Sequence, residues 1–298
     1  MAQIRDIKLR IKAVANIRRI TKTMQMIATS KFAKAEQRAV AARPFTLGVF
    51  DLVRELAATA GEIEHPLIRG VAAGAGKPEL LLIITSDRGL CGPYNGAVLR
   101  AAMDAVRAAG RGDHGGTGVA PIIELVGKKG VAFLRFRDVR VAARHEQFGD
   151  NPKREDVDAL AEAYMRRFSA GEVSAVRIIS MRYESAGRQK PQVLQLLPLT
   201  PPSDAGGEKK PAGVLYEFSP PEEELLSSLL PVTVRATLNQ LFNEAAVSEH
   251  VARMVAMKAA TDNAGKMSHT LKRRFNRARQ AQITTELTEI ISGAAALE

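Results

Sequence analysis

The segment TSDRGLCGPYNG, residues 85–96, has the residue types that could carry chemistry: a cysteine, an aspartate and three glycines. It follows a strand-like run and precedes a helix-like run, where a loop can cradle a phosphate or present a nucleophile. It contains neither G-x-x-x-x-G-K-[ST] nor G-x-G-x-x-G. Lys77 precedes the strand and is followed by Pro78, and Cys91 has no obvious local base. The pattern favours a structural turn over a nucleotide-binding or catalytic site.

Other groups that could bind a metal or transfer a proton show no useful spacing. A single cysteine rules out an internal disulfide and a cysteine-based metal site. Glu286 and Glu289 are three residues apart and would share a helix face, which in an ordinary helix faces solvent. We therefore expect no catalytic residue, no cofactor and no metal. The histidines lack metal-ligand spacing; they are His65, His114, His145, His250 and His269.

The net charge of +11 lies at the two ends of the chain. Residues 1–43 contain eleven lysines and arginines against two acidic residues, and residues 250–298 contain eight against four. Basic ends could bind nucleic acid, so a nucleic-acid-binding coiled-coil protein with an α/β effector domain is an alternative. Aromatic residues make up 5% of the chain and no reader motif is present, which disfavours that alternative.

Both ends have the periodicity of long helices. Residues 1–43 contain no glycine or proline, and the predicted helix continues past Pro44 to about Thr59. Apolar stripes with mean spacings of about 3.3 and 3.4, below 3.6, indicate left-handed pairing, most simply of one end antiparallel to the other. The predicted N-terminal stripe is Ile4, Ile7, Ile11, Val14, Ile17, Ile20, Met24 and Ile27; the C-terminal one is Val247, Val251, Met254, Met257, Thr261, Ala264, Met267, Leu271, Phe275 and Ala278.

The middle of the chain alternates strand and helix patterns and closes with a hairpin, which indicates an α/β domain with a mixed sheet. We expect strands at 79–85, 121–127, 138–144, 173–185 and 191–200, helices at 95–110, 131–136 and 154–171, a turn at 186–190, and surface loops at 110–118 and 200–213. The predicted fold is α/β: a long antiparallel two-helix coiled coil plus a central domain. The segments are 1–60, 61–218 and 219–298.

No apolar run approaches the ~18 residues that span a bilayer. No secretory signal pattern is present, and the stripes lack the Trp/Phe-rich face of membrane-surface helices. We expect a soluble or peripheral protein in a reducing compartment.

Four stretches resemble the gamma subunit of the rotary F-type ATP synthase. They are IRRITKTMQMIATSKFAKA, SDRGLCG, SEHVARMVAMKAATDNA and RARQAQITTELTEIISGA, in the order of that family. The sequence departs from the family at Pro93–Tyr94, where a second glycine is usual. It has no cysteine pair, so the redox-regulated insertion of the chloroplast form is absent.

The resemblance implies a rotor shaft without an active site of its own. One copy would stand in a hexamer of alpha and beta subunits, with its α/β domain docked on the epsilon subunit and the proton-driven c-ring. Such a protein would be peripheral at the cytoplasmic face of a bacterial inner membrane and would bind no nucleic acid.

A third interpretation, an enzyme that uses the α/β domain, requires an activity of the isolated chain that depends on Cys91.

The resemblance also implies partner contacts. Met24 would lie near a mobile acidic loop of a beta subunit, with Lys22 on the neighbouring face. The apolar tip from Leu287 to Ala296 would rotate in a collar of the hexamer. The catch loops of the hexamer would contact Arg253, Gln280, Thr284, Glu286 and Glu289. Tyr216 and Glu217 would contact epsilon or the ring.

Overall fold

The computed structural model describes residues 2–59, 65–69, 76–111, 118–199 and 221–295. The chain divides into two compact units. The two-helix unit comprises Met1–Ser30 and Arg253–Glu298, and the sheet unit comprises Lys31–Ala252. The division into segments at residues 60 and 218, which followed secondary structure alone, stays a prediction.

Two long helices account for both ends of the chain, as the sequence predicts. They are α1 (Ala2–Thr59) and α6 (Glu222–Ala295). Each contains one internal proline, Pro44 in α1 and Pro231 in α6. Proline removes one helical hydrogen bond, and the Thr46 hydroxyl donates to the Ala42 carbonyl oxygen at 3.2 Å in the turn around Pro44. Helix stability in proteins comes mostly from packing, so helices of this length require partners along their apolar faces.

The sheet unit contains a five-stranded mixed sheet of order β3-β2-β1-β4-β5. The first four strands are parallel and β5 runs antiparallel to β4, which confirms the predicted mixed sheet. Central parallel strands are covered on both faces, which explains why all of LLLII in β1 is buried. The strands are β1 (Leu80–Ile84), β2 (Ile122–Val126), β3 (Ala143–His145), β4 (Val176–Ser185) and β5 (Arg188–Leu197).

Helices cover both faces of this sheet. On one face, α3 (Tyr94–Arg111) and α4 (Lys129–Phe136) pack on Leu81 and Ile83 of β1. On the other face, α5 (Arg154–Ser169) and the parts of α1 and α6 within the sheet unit pack on Leu80 and Leu82. A short helix, α2 (Pro66–Arg69), adds Leu67 to this second core.

Three local features differ from the sequence prediction. Strand β3 begins at Ala143 and not at 138, because Asp138 has a φ of 54° and the amide of Val139 donates to the Leu134 carbonyl oxygen at 3.0 Å, closing α4. The hairpin turn is confined to 186–187, because β5 begins at Arg188. Helix α2 was missed because four residues are too few to show a period. Most of the predicted loop at 110–118, and all of that at 200–213, lies outside the described residues.

Candidate functional site

The two helices of the two-helix unit run antiparallel, as predicted. The side-chain oxygens of Thr21 and Thr261 lie 2.8 Å apart, within hydrogen-bonding distance. The Arg18 Nε atom lies 3.8 Å from the point where a Cβ on Gly265 would stand. Lower numbers on α1 therefore face higher numbers on α6. Gly265 leaves room for the Arg18 side chain against α6.

The contact line on α1 corrects the predicted stripe. Ile17, Ile20 and Ile27 are 52%, 56% and 53% exposed. The buried residues of α1 recur every three or four positions. Each of these isoleucines precedes a position of that pattern by one residue, which is about 100° of helix rotation. The seam (the α1 contact line) continues through small or polar side chains instead, which lets the helices approach closely. Its buried and half-buried members are Ile4, Ile7, Ile11, Val14, Thr21, Gln25 and Ala28, together with Met24 beside Gln25.

The same one-residue displacement occurs once on α6. Met267 is 57% exposed, and Ser268 takes its place on the contact line. The other predicted stripe residues of α6 are buried or half-buried. Polar residues stand on the contact lines of both helices. A search for apolar periodicity alone therefore could not find the register in which the helices pair.

The surface around this seam is cationic and apolar together. A groove between the helices has an apolar floor that includes Val14, Met267 and Leu271, and it is flanked by cations. The groove was not predicted, because its residues come from both ends of the chain. A groove of this composition fits an acidic partner that also offers apolar side chains. The flanking cations are Arg10, Lys266 and Arg274.

The residues expected to contact partners lie at different depths. Lys22 is exposed and Met24 is half-buried. Arg253 is only 8% exposed, so most of that side chain is buried within this chain. Tyr216, Glu217 and Ala296 lie outside the described residues.

The remaining four predicted contacts are exposed on the last part of α6. The Thr284 hydroxyl donates to the Gln280 carbonyl oxygen at 3.0 Å, so these two residues share a face. Glu286 lies two residues beyond Thr284, about 200° around the helix, and shares its own face with Glu289. Its carboxylate accepts a hydrogen bond from the Gln282 side-chain amide at 2.7 Å. The structure thus places these residues on two opposite sides of one helix.

The apolar tip follows on the same helix. Leu287, Ile290 and Ile291 of the tip, and Ile283 one turn before it, are about half to two-thirds exposed. Exposed apolar residues in such a row indicate an association surface.

The segment 85–96 forms a tight structural turn in the sheet unit. The Asn95 side-chain amide donates to the Ser86 hydroxyl at 2.7 Å and to the Cys91 sulfur at 3.2 Å, and its oxygen accepts from the Ser86 amide. Cys91 is buried. The Tyr94 hydroxyl donates to the Ala245 carbonyl oxygen of α6 at 3.3 Å. Tyr94, the second residue of the Pro93–Tyr94 pair that departs from the family pattern, thus connects this turn to a long helix.

A buried carboxylate in β2 organises a polar cluster of the sheet unit. Glu124 accepts hydrogen bonds from the Tyr164 hydroxyl and an Arg167 nitrogen, each at 2.8 Å, and lies 2.8 Å from the His145 Nε2 atom. Burial alone would raise the pKa of Glu124, but the bonds and charges of His145, Tyr164 and Arg167 together hold that pKa below its usual value. Burial and the Glu124 carboxylate raise the pKa of Tyr164 well above its usual value. The cluster is a satisfied internal network that joins β2, β3 and α5.

Two further observations concern the part of the chain that the structure describes. Within it, no histidine, cysteine and carboxylate side chains gather into a group that could hold a metal ion. Its helices also include none with the length and apolarity needed to cross a membrane.

Comparison with known proteins gives a consistent result over the whole chain. The family model described as ATP synthase matches residues 3–297. An ATP synthase gamma chain of Rhodopirellula baltica is 36% identical, and one of Leptospira biflexa is 38% identical. Both alignments cover 100% of this chain and 100% of the relative.

Solved structures share the fold. A chain from the rotor of the Euglena gracilis mitochondrial ATP synthase has a TM-score of 0.60 and 17% identity, and the match covers 95% of this chain and 99% of that one. A chain from the OSCP/F1/c-ring assembly of the same enzyme has a TM-score of 0.63 and 19% identity, covering 99% and 95%. At these identities the similarity shows the fold alone.

Proposed function

The chain belongs to the ATP synthase gamma-chain family, and from this premise we propose how it works as the rotor shaft of the proton-driven enzyme. Its partners are a hexamer of alpha and beta subunits around the two-helix unit, and the epsilon subunit and c-ring at the sheet unit. One copy serves each complex. Rotation of the ring turns the shaft, and the shaft drives each beta catalytic site through its cycle. The ATP chemistry takes place in the partners.

The observation that best supports this proposal is the mixed surface of the two-helix unit. Its described residues include cations on both helices, exposed isoleucines and, further along α6, Glu286 and Glu289. A shaft acts by contacting each beta subunit differently at each angle. To drive a two-state site from 1:99 to 99:1 requires about 5.5 kcal/mol of differential interaction, which a few charged and hydrogen-bonding contacts on opposite helix faces can supply.

We assign the partner contacts accordingly. Lys22 and Met24 lie near an acidic loop of a beta subunit, and a half-buried Met24 offers only part of its side chain. The catch loops contact Arg253, Gln280, Thr284, Glu286 and Glu289. The exposed tip from Leu287 rotates in an apolar collar with few specific hydrogen bonds, which keeps rotational friction low. Tyr216 and Glu217 are assigned to the contact with epsilon or the ring.

The protein would be peripheral, at the cytoplasmic face of a bacterial inner membrane. The relatives at 36% and 38% identity are bacterial proteins, which supports this location over an organelle. The membrane attachment would come through the c-ring and not through a segment of this chain.

Native mass spectrometry of the tagged chain, purified from gently solubilised membranes, tests the proposal. The expected result is one copy bound to three copies each of two larger nucleotide-binding subunits. Recovery with nucleic acid, in a salt-sensitive complex, would contradict the proposal and support the nucleic-acid alternative. A Cys91-dependent activity of the isolated chain would support the enzyme alternative.

Two adjacent threonines on α6 provide a matched test of the assigned contacts. Both are exposed, and each hydroxyl donates to the carbonyl oxygen four residues earlier at 3.0 Å. Thr284→Ala is expected to slow ATP-driven rotation about fivefold, the equivalent of one net hydrogen bond of ~1 kcal/mol. Thr285→Ala should leave the rate unchanged. Equal rates for the two variants in the assembled complex would refute the assignment of Thr284.

A further inference from the structure

Both long helices continue from one unit into the other. The chain passes from one unit to the other between Ser30 and Lys31 on α1, and between Ala252 and Arg253 on α6. Any mechanical load carried along the chain between the units passes through these two stretches of continuous helix, where backbone hydrogen bonds cross the boundary together with the peptide bond. The groups that hold α1 and α6 immediately inside the sheet unit therefore bear that load first.

One residue of the sheet unit contacts both helices at these points. The Asp150 carboxylate forms an ion pair with Lys31, the first residue of the sheet unit on α1. The Asp150 carbonyl oxygen accepts a long hydrogen bond from His250 Nε2 at 3.4 Å, two residues before Ala252 on α6. Lys31 is 119 positions from Asp150 in sequence, and His250 is 100 positions away.

Asp150 is itself fixed by the two residues before it. The ring of Phe148 is buried and packs on Phe242 of α6, with ring centroids 4.6 Å apart. Gly149 has a φ of +52°, a conformation that glycine adopts at little cost. The turn at Gly149 directs the next residue towards α1 and α6 while Phe148 stays anchored. The loop after β3 is therefore anchored to α6 through Phe148.

The charges around Asp150 keep it ionised. Burial raises the pKa of its carboxyl, but the hydrogen bond and charge of Lys31 and the charges of Arg88 and His250 outweigh burial and lower that pKa. An ionised, half-buried carboxylate forms a stronger and more directional bond to lysine than a neutral group could.

A second contact supports α1 one turn further along. The Tyr183 hydroxyl of β4 donates to the Glu36 carboxylate at 3.0 Å, and the Tyr183 ring lies 6.2 Å from that of Phe32. Helix α1 is thus contacted by the loop after β3 and by β4. Helix α6 is contacted near Ala252 by Asp150 and by the long hydrogen bond from Ser248 to the Met181 carbonyl oxygen at 3.5 Å.

We propose that Lys31, Asp150 and His250 form a clamp that carries torque between the sheet unit and the two long helices. The proposal rests on the rotor function proposed above and names the joint at which the shaft resists twisting. Asp150 is a positioning residue, because it acts by holding the helices. Its loss makes the rotor torsionally softer without changing the surface that the hexamer meets.

The test is the angular fluctuation of a probe on the sheet unit in complexes whose hexamer is immobilised and stalled with a non-hydrolysable ATP analogue. Asp150→Asn is expected to widen the angular distribution relative to wild type. Glu146→Gln is the matched control, because Glu146 lies in the same loop and pairs with Lys128 instead of a long helix. That control should give the wild-type distribution. The double exchange Lys31→Glu with Asp150→Lys should restore much of the stiffness.

The outcomes separate this proposal from the rotor function. Should wild type assemble and rotate while Asp150→Asn fluctuates as wild type does, the clamp is refuted and the rotor function stands. Should wild type fail to assemble with a hexamer, the rotor function itself is refuted. Lys31→Met, which leaves the loop intact, replaces Asp150→Asn if that variant does not assemble, and the same widening is expected. Equal widening in Glu146→Gln would show a general loss of loop stability and contradict the clamp.

Discussion

Gly127→Ala is expected to lower the free energy of unfolding of the chain by about 2–5 kcal/mol, from left-handed backbone strain plus overpacking. Gly127 follows β2 and has a φ of +83°. A Cβ at this position would lie 2.3 Å from the carbonyl oxygen of Thr85 and 2.8 Å from its carbon. These are backbone atoms at the end of β1, so they cannot rotate away. The change would separate the ends of two central strands.

Urea denaturation of the purified chain, followed by circular dichroism, measures this effect. Gly187→Ala is the control, because a Cβ there meets nothing within 4 Å. It should change stability by only a few tenths of a kcal/mol, as most exposed substitutions do. Similar midpoints for the two variants would show that the backbone at Gly127 has room for a Cβ beside Thr85, and would contradict this prediction.

Glu124→Gln is expected to cost about 2–3 kcal/mol of stability, because it leaves Arg167 without its buried carboxylate. The loss is below that of a fully buried pair, since Arg167 is partly exposed and keeps Glu172 as a second partner at 3.3 Å. The Tyr164 hydroxyl also loses an ionised acceptor. Glu172→Gln, which removes only the exposed partner, is the matched control and should have a small effect.

The pH dependence of stability provides a second measurement of the contribution of Glu124. Because the pKa of Glu124 is lowered from its ordinary 4.5 in the folded protein, its stabilisation is fully present above about pH 5 and is lost as the pH falls through the folded value. Thermal melts from pH 7 to pH 3 should show a steeper loss for wild type than for Glu124→Gln. Parallel curves would mean that this carboxylate does not support the sheet unit through its charge.

The elements of the fold were predictable where local patterns are strong. Helix α1 was expected to end near Thr59, and its range is Ala2–Thr59. Residues 1–43, which contain no glycine or proline and are periodic, specify a helix locally. LLLII was expected as a buried strand and is β1. The mixed order of the sheet followed from alternating strands and helices and a final hairpin.

The register of the two helices and the clamp were not predictable in this way. An apolar pattern places Ile20 on the contact line of α1, but the structure places Thr21 there. The difference depends on Thr261 of α6, whose hydroxyl lies against that of Thr21. Asp150 shows no local pattern, because its partners come from opposite ends of the chain. Such contacts follow from tertiary structure, which a single sequence specifies only through distant residues.

Single-molecule rotation is the most direct test of the rotor function. A bead attached to the sheet unit would be observed while the alpha–beta hexamer is fixed to a surface and supplied with ATP. We expect sustained rotation in one direction that stops when ATP is removed. Complexes that hydrolyse ATP at the normal rate while the bead on this chain stays at a fixed angle would contradict it.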